Sequence, residues 1–428
     1  MMRKRLISLS QWLALGLLAG LLCGSASALF LTWLYQVTSY RLEHPIIIWA
    51  LPVAGLLMGL VYQAIGQEVL PGNNLVLDRL HSGGDQLPWR MAPLALLGTV
   101  WTHLFGGSAG REGTGVQMGA SLADGVSHAL KLNPTLRRHM LAAGVAGGFA
   151  SVFGTPLAGA IFGLEVVVVG RLDYEALVPV FVAALVGDWA CRAWGVQHAT
   201  FPVLSATPLT PLLALQWLLL AGLLAVTAWA FIESTHRLKA WAQAKVPSLP
   251  LRLFVGGACL VLLWQIPGMG DYLGLSTHLI SQALGPTPPP PWAFAAKLLL
   301  TAITLGFGFI GGEVTPLFVI GACLGSAAAG ILGMPGPLAA GIGLAALFGA
   351  AANTPLAMIV MAVELLGPGV LPHIGLVAVV AYLLTGQRGI YTGQRWHHLK
   401  HNPLELPPLK APEPLAAPKP KRASKRRA

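Results

Sequence analysis

Apolar runs of membrane-spanning length recur along this chain from end to end. They lie at about 11–37, 46–65, 92–106, 139–169, 176–195, 211–233, 252–266, 293–312, 316–334, 338–366 and 371–385. Each meets or approaches the ~20 residues that a helix needs to cross a bilayer. In lipid every backbone polar group must be bonded within the protein, so runs of this kind fold as helices. A water-facing surface is out of reach for most of the chain. Only 10% of residues are charged and 55% are hydrophobic, with mean hydropathy +0.68, whereas soluble proteins carry about 25% charged residues. The chain reads as an all-α polytopic membrane protein.

The start imitates a cleavable secretory signal, with "MMRKR", an apolar run and then "GSASA" at 24–28. The apolar run continues through "LFLTWLYQV" to about residue 37, which favours a retained first helix. The net charge of +11 gathers at the ends, in Arg3, Lys4 and Arg5 and in "KPKRASKRRA" at 419–428. That tail is short, Pro- and Ala-rich and free of interleaved aromatics, so it suits a cytoplasmic, lipid-touching tail rather than nucleic acid. Both termini are expected in the cytoplasm, with an even number of crossings between them. Cys23, Cys191, Cys259 and Cys323 stand singly in apolar stretches, so buried free thiols are expected rather than a disulfide framework or a zinc site.

The chain repeats itself. "GREGTGVQMGASL" (110–122) is followed by "LAAGVAGGFASVFGTPLAGAIFGLE" (141–165), and "GEVTPLFVIGACL" (312–324) by "LAAGIGLAALFGAAANTPLAMIVMAVE" (338–364). Gly119-Ala120 matches Gly321-Ala322, and both long segments carry T-P-L-A and end in glutamate. The organisation read from this is a basic cytoplasmic N-terminus (1–10), a first membrane repeat (11–200), a second (201–398) and a disordered basic cytoplasmic tail (399–428). Duplicated bundles of this kind are the usual build of transporters, as two inverted-topology repeats with broken helices meeting at mid-membrane.

Three Gly- or Pro-rich breaks lead into apolar runs: "PGNN" (71–74), "GSAGREG" (107–113) and "GFIGGEVTP" (308–316). A helix that starts inside the membrane aims unpaired N–H groups and the positive end of its dipole inward. Several converging starts make an anion site. Glycines that merely let helices pack closely explain some of the 51 present. They do not explain Glu112 or Glu313, because charge at membrane depth is costly and reads as functional.

These segments resemble the CLC family of chloride channels and proton-coupled exchangers. "GREGT" (110–114) is similar to the family's G-R-E-G-P, "GGEVTP" (311–316) to its G-G-x-F-x-P, and "GIYTGQ" (389–394) to its final tyrosine-bearing helix. "GNNLV" (72–76) falls where the family has G-S-G-I-P, and the resemblance spans roughly 10–398 with the motifs in order. Asn73 replaces the usual serine, Thr114 the proline, and Val314, preceded by Glu313, the phenylalanine. That combination resembles the fluoride-exporting branch, whose members are fluoride/proton antiporters.

The resemblance implies proton transfer and gating by Glu112 and Glu313. It implies anion binding by Asn73, or by Asn74 one register on, with Arg111, Gly113, Glu313, Val314 and Tyr391. Plainer readings stand beside these roles. Asn73 would also serve as a helix N-cap, Tyr391 as an interfacial aromatic, and Arg111 as a balance to Glu112. Glu165 and Glu364 read as structural, making capping contacts at helix ends, and Asp188 with Arg192 as an i,i+4 ion pair. The family further implies a homodimer in the cell inner membrane, moving fluoride and protons, with no cofactor, metal or nucleic acid. A chloride/proton exchanger or chloride channel on the same scaffold is the alternative. Ser121 and His103 are the nearest imitation of an enzyme's site, without a recognisable motif; "HH" at 397–398 lies beyond the last span.

Overall fold

The computed structural model describes residues 2–397 and 400, with side chains from Leu9 onward. Among them the first half holds α1 (Met2–Glu43), α2 (Leu51–Ile65), α3 (Asn73–Ser82), α4 (Met91–Leu104), α5 (Glu112–Ala129), α6 (Pro134–Phe153), α7 (Pro156–Glu165) and α8 (Leu177–Ala193). The second half holds α9 (Pro211–Lys245), α10 (Leu249–Trp264), α11 (His278–Leu284), α12 (Ala293–Phe307), α13 (Val314–Leu332), α14 (Gly336–Ala352), α15 (Pro355–Leu366) and α16 (Leu371–Leu384). Among the described residues, five helical segments are long and apolar enough to cross a membrane by length and composition. Shorter apolar helices accompany them, as expected where helices stop and restart inside the bundle.

Three sequence expectations change in detail. α1 begins at Met2, so the boundary at residue 10 falls inside a continuous helix that also contains "GSASA". The apolar runs 139–169 and 338–366 are each two helices. Gly154 (φ 76°) and Asn353 (φ 59°) end α6 and α14 in the left-handed geometry. Pro156 and Pro355 then open α7 and α15 at a position where a missing N–H costs nothing. The tail beyond Lys400, the basic run 419–428 and His398 lie outside the described residues.

The two halves are built alike and meet antiparallel. Gly110 and Gly312 exchange both backbone hydrogen bonds, at 2.7 and 2.9 Å, where the two broken segments cross. α5 lies on α6 with Gly119 against the carbonyl of Gly144, and α13 lies on α14 with Gly321 against the carbonyl of Gly343. A Cβ at either glycine would strike backbone, so only glycine allows this approach. Behind the crossing, a buried aromatic cluster joins the halves. Phe149 stacks on Phe162 at 4.3 Å, and Phe318 meets Phe153 and Phe348 at 5.1 and 5.6 Å.

After α16 the chain returns as a strap. β1 (Val168–Val169) pairs in parallel with β2 (Arg395–Trp396). Gln394 Nε2 donates to the carbonyls of Val166 and Ala352 at 2.9 and 2.8 Å, and Ile390 N to that of Ala351 at 2.9 Å. The strap therefore fixes Tyr391 between the two repeats. The four cysteines are free thiols, three of them buried.

Candidate functional site

α5 and α13 start where the broken segments cross, so two sets of unpaired helix N–H groups face one region. Glu112 is the first residue of α5, and its side chain is 0% exposed. Its carboxylate reaches across to the other half. It accepts from Thr315 N at 3.1 Å and from Thr315 Oγ1 at 2.6 and 2.5 Å. Arg111 supplies two more donors, its N at 3.2 Å and its Nε at 3.3 Å, while its side chain stays 21% exposed. A carboxylate held by a helix-start N–H, a hydroxyl and a guanidinium occupies an anion site.

On one side of this crossing lies a cavity of about 570 Å³, lined in part by Asn73, Asn74, Gln117, His236, Lys239, Arg252, Glu313 and Tyr391. It reaches Gly311 and Glu313, the residue before α13, but Glu112 is not among its lining residues. A second void of about 10 Å³ sits beside Asn73 and Tyr391, walled by Val116, Val145, Phe162 and Val166. That is about the space one water molecule needs, which is also the scale of a bare fluoride ion.

Each residue singled out from the sequence has a definite place. Gly113 lies against the Asn73 amide and Gly312, close enough that a Cβ there would stand 3.0 Å from Asn73 Nδ2. Val314 is buried as the first residue of α13. Asn73 is not an N-cap, because Gly72 takes that position and Asn73 opens α3. Its Oδ1 is buried without a partner. Turned about its last torsion, the same amide offers N–H donors instead. Asn74 also lines the cavity, but its Oδ1 accepts from Gly393 N at 2.9 Å, which ties α3 to the strap. The two asparagines are thus separable, Asn73 facing the crossing and Asn74 serving a joint.

The other expectations are met by plain contacts. Glu165 accepts from Leu356 N and Ala357 N at 3.0 and 2.8 Å, and Glu364 from Leu157 N and Ala158 N at 2.9 and 2.7 Å. Asp188 pairs with Arg192 at 2.9 Å. Ser121 donates to the carbonyl of Pro88, whereas His103 bridges the carbonyls of Thr99 and Ala109 at 2.8 and 3.1 Å. The two have separate partners.

Thr315 was not singled out from the sequence, although it follows Glu313 and Val314 in "GGEVTP". Gln117 and the α9 residues Thr235, His236, Lys239 and Gln243 were missed too, and all line the cavity. The signal for the α9 residues was polar recurrence at one-turn spacing in an otherwise apolar helix.

Comparison with known proteins agrees with this architecture. A protein-family model described as voltage gated chloride channel matches residues 54–386. The chain is 47% identical over 401 residues to a chloride/fluoride channel protein of Pseudomonas syringae pv. tomato, covering 92% of this chain and 88% of that one. It is 28% identical over 345 residues to an H(+)/Cl(-) exchange transporter of Vibrio vulnificus, covering 74% and 72% of the two chains. Among solved structures, a CLC-type fluoride/proton antiporter superposes with TM-score 0.88 at 33% identity, over 91% of this chain and 99% of the other. A slow cyanobacterial Cl-/H+ antiporter, with TM-score 0.76 and 21% identity over 89% and 96%, shares the fold.

Proposed function

The chain belongs to the voltage-gated chloride channel (CLC) family, a family of membrane channels and transporters, and from that premise we propose that it exports fluoride in exchange for protons. One observation carries the reading. The Glu112 carboxylate, fully buried, is docked on Thr315 at the start of the opposite repeat's helix. A group held in an anion site by donors competes with a transported anion for those donors. When protonated it loses its charge, binds them less strongly and withdraws; fluoride then takes its place. The anion leaves outward and the proton is released inward, so one carboxyl group couples the two.

The supporting residues suit a small, strongly hydrated anion. Giving up water requires hydrogen-bond donors in its place. Thr315 N–H and O–H, the Asn73 amide and the Tyr391 phenol are such donors, and Glu313 becomes one when protonated. Lys239 and Arg252 place positive charge, and His236 a ring N–H, along the cavity through which the anion approaches. The likeness to a fluoride/proton antiporter and to a chloride/fluoride channel protein supports fluoride as the ion. By the same reading the protein is a homodimer in the cell inner membrane, with both termini in the cytoplasm.

Proteoliposomes loaded with fluoride or chloride and given a potassium shunt test this proposal. Ion and pH electrodes together should record fluoride leaving faster than chloride, with protons entering. Equal fluxes of the two anions, or fluoride flux without proton movement, would overturn it.

A further inference from the structure

We propose that Lys297 is a fixed internal cation that tunes the anion pathway from behind the first broken segment, a role that rests on the anion-exchange reading above. Lys297 lies on α12 and is 0% exposed. Its Nζ donates to the carbonyls of Tyr272 and Gly274, at 3.1 and 2.7 Å, and to Ser276 Oγ at 3.0 Å. Ser276 Oγ has Leu273 O at 3.2 Å for its own hydrogen, which leaves its lone pairs to accept from an ammonium. Three acceptors, two of them backbone carbonyls that cannot donate, match the three donors of an ammonium.

Among the described residues no carboxylate forms an ion pair with Lys297. The titratable groups around it are Arg41 of α1, His103 of α4, His278 of α11 with Asp271 beside it, and the Cys323 thiol of α13. Arg41 of α1 lies against Gly274, on the same loop that Lys297 grips, and its Nε is buried without a partner. His103 of α4 stands on the other face of the broken segment, bonded to Ala109 O. An ionisable side chain buried without a counter-ion is costly to keep charged, and in a membrane protein such a residue points to use.

The loop that Lys297 grips is joined to the break. Ser108 Oγ donates to Tyr272 O at 2.9 Å, Gly274 N to Gly107 O at 3.2 Å, and Ser108 N to Thr304 Oγ1 at 3.0 Å. Four residues on from Ser108 is Glu112. The ammonium and Arg41 thus stand behind the segment that leads into the start of α5, and away from water a field is little screened. Lys297 touches neither Glu112 nor the anion and is a positioning residue. Its field favours either occupant equally, so exchanging ionised Glu112 for fluoride hides its effect. The effect is seen when Glu112 carries no charge, or when its protonation is followed.

Two measurements test this. In the Glu112→Gln background, fluoride binding by calorimetry should weaken about tenfold with Lys297→Gln or Lys297→Met and be restored by Lys297→Arg. With Glu112 intact, Lys297→Gln should move the alkaline limb of the exchange rate about one pH unit higher, and Lys297→Arg should leave it in place. Lys297→Gln keeps N–H donors for the loop, so behaviour like the wild type would mean that only loop anchoring matters and would overturn the proposal. Should Lys297→Met fail to fold, the glutamine and arginine variants decide. Absence of fluoride exchange in the unaltered protein would instead sink the reading on which this rests.

Discussion

Glu165 and Glu364 end matching helices, α7 and α15, and perform the same task in opposite directions, each accepting two N–H groups from the start of the other's helix. The starts of α5 and α13 are equally matched in the duplication but carry different charges. Arg111-Glu112 in the first half stands where Glu313-Val314 stands in the second, given the match of Gly119-Ala120 with Gly321-Ala322. Where the repeats agree, two carboxylates satisfy helix starts and hold the halves together. Where they differ, one carboxylate crosses to Thr315 and the other faces the cavity. Symmetry builds the frame, and its breaking supplies the carboxylate to which the proposed function gives the change of charge.

The comparison is open to test by mutation. Removing either symmetric glutamate should have the largest effect on stability. Glu165→Leu and Glu364→Leu each strand two helix-start N–H groups whose bonds to a carboxylate are worth about 1.5–3 kcal/mol each. Thermal unfolding in detergent should show similar losses for the two variants, with the ratio of protons to fluoride unchanged. A large loss for one and none for the other would mean that the pair is not equivalent.

Thr315→Val keeps the shape and the N–H but removes the hydroxyl from Glu112. The docked carboxylate should lose about ten- to a hundredfold in occupancy, and fewer protons should move per fluoride. An unchanged ratio, read with paired electrodes, would separate docking from coupling. Asn73→Ser should lower the fluoride-to-chloride flux ratio several-fold, since a hydroxyl offers one donor where an amide offers two. Asn74→Ser should leave that ratio alone and cost about 1 kcal/mol of stability through the lost strap bond. Selectivity that follows Asn74 rather than Asn73 would reverse their roles. Asp188→Asn, at a partly exposed ion pair, should change stability by less than about 1 kcal/mol and transport not at all.

Much of this was legible in the sequence because it is local or repeated. The breaks at 107–113 and 308–316 announce themselves by glycine beside charge, and the T-P-L-A segments with their terminal glutamates by repetition. Thr315 was hidden because its partner Glu112 lies 203 residues away, a contact set by how the halves cross. Lys297 escaped notice for a related reason: its acceptors are backbone carbonyls and one serine, which leave no mark in composition. The division of labour between Asn73 and Asn74 depends on the strap, whose Gly393 lies 319 residues beyond Asn74. Splitting of the runs 139–169 and 338–366 was readable in principle, from Gly154 and Asn353 each followed by Thr-Pro, but apolar length outweighed it.

The central claim is that Glu112 changes charge while fluoride crosses. Fluoride and pH electrodes reading the same proteoliposome suspension, for the unaltered protein and for Glu112→Gln, test it directly. Glutamine keeps nearly the same shape and cannot titrate, so proton uptake driven by fluoride should be present in the first and absent in the second. Coupled proton uptake that survives in Glu112→Gln would contradict the claim.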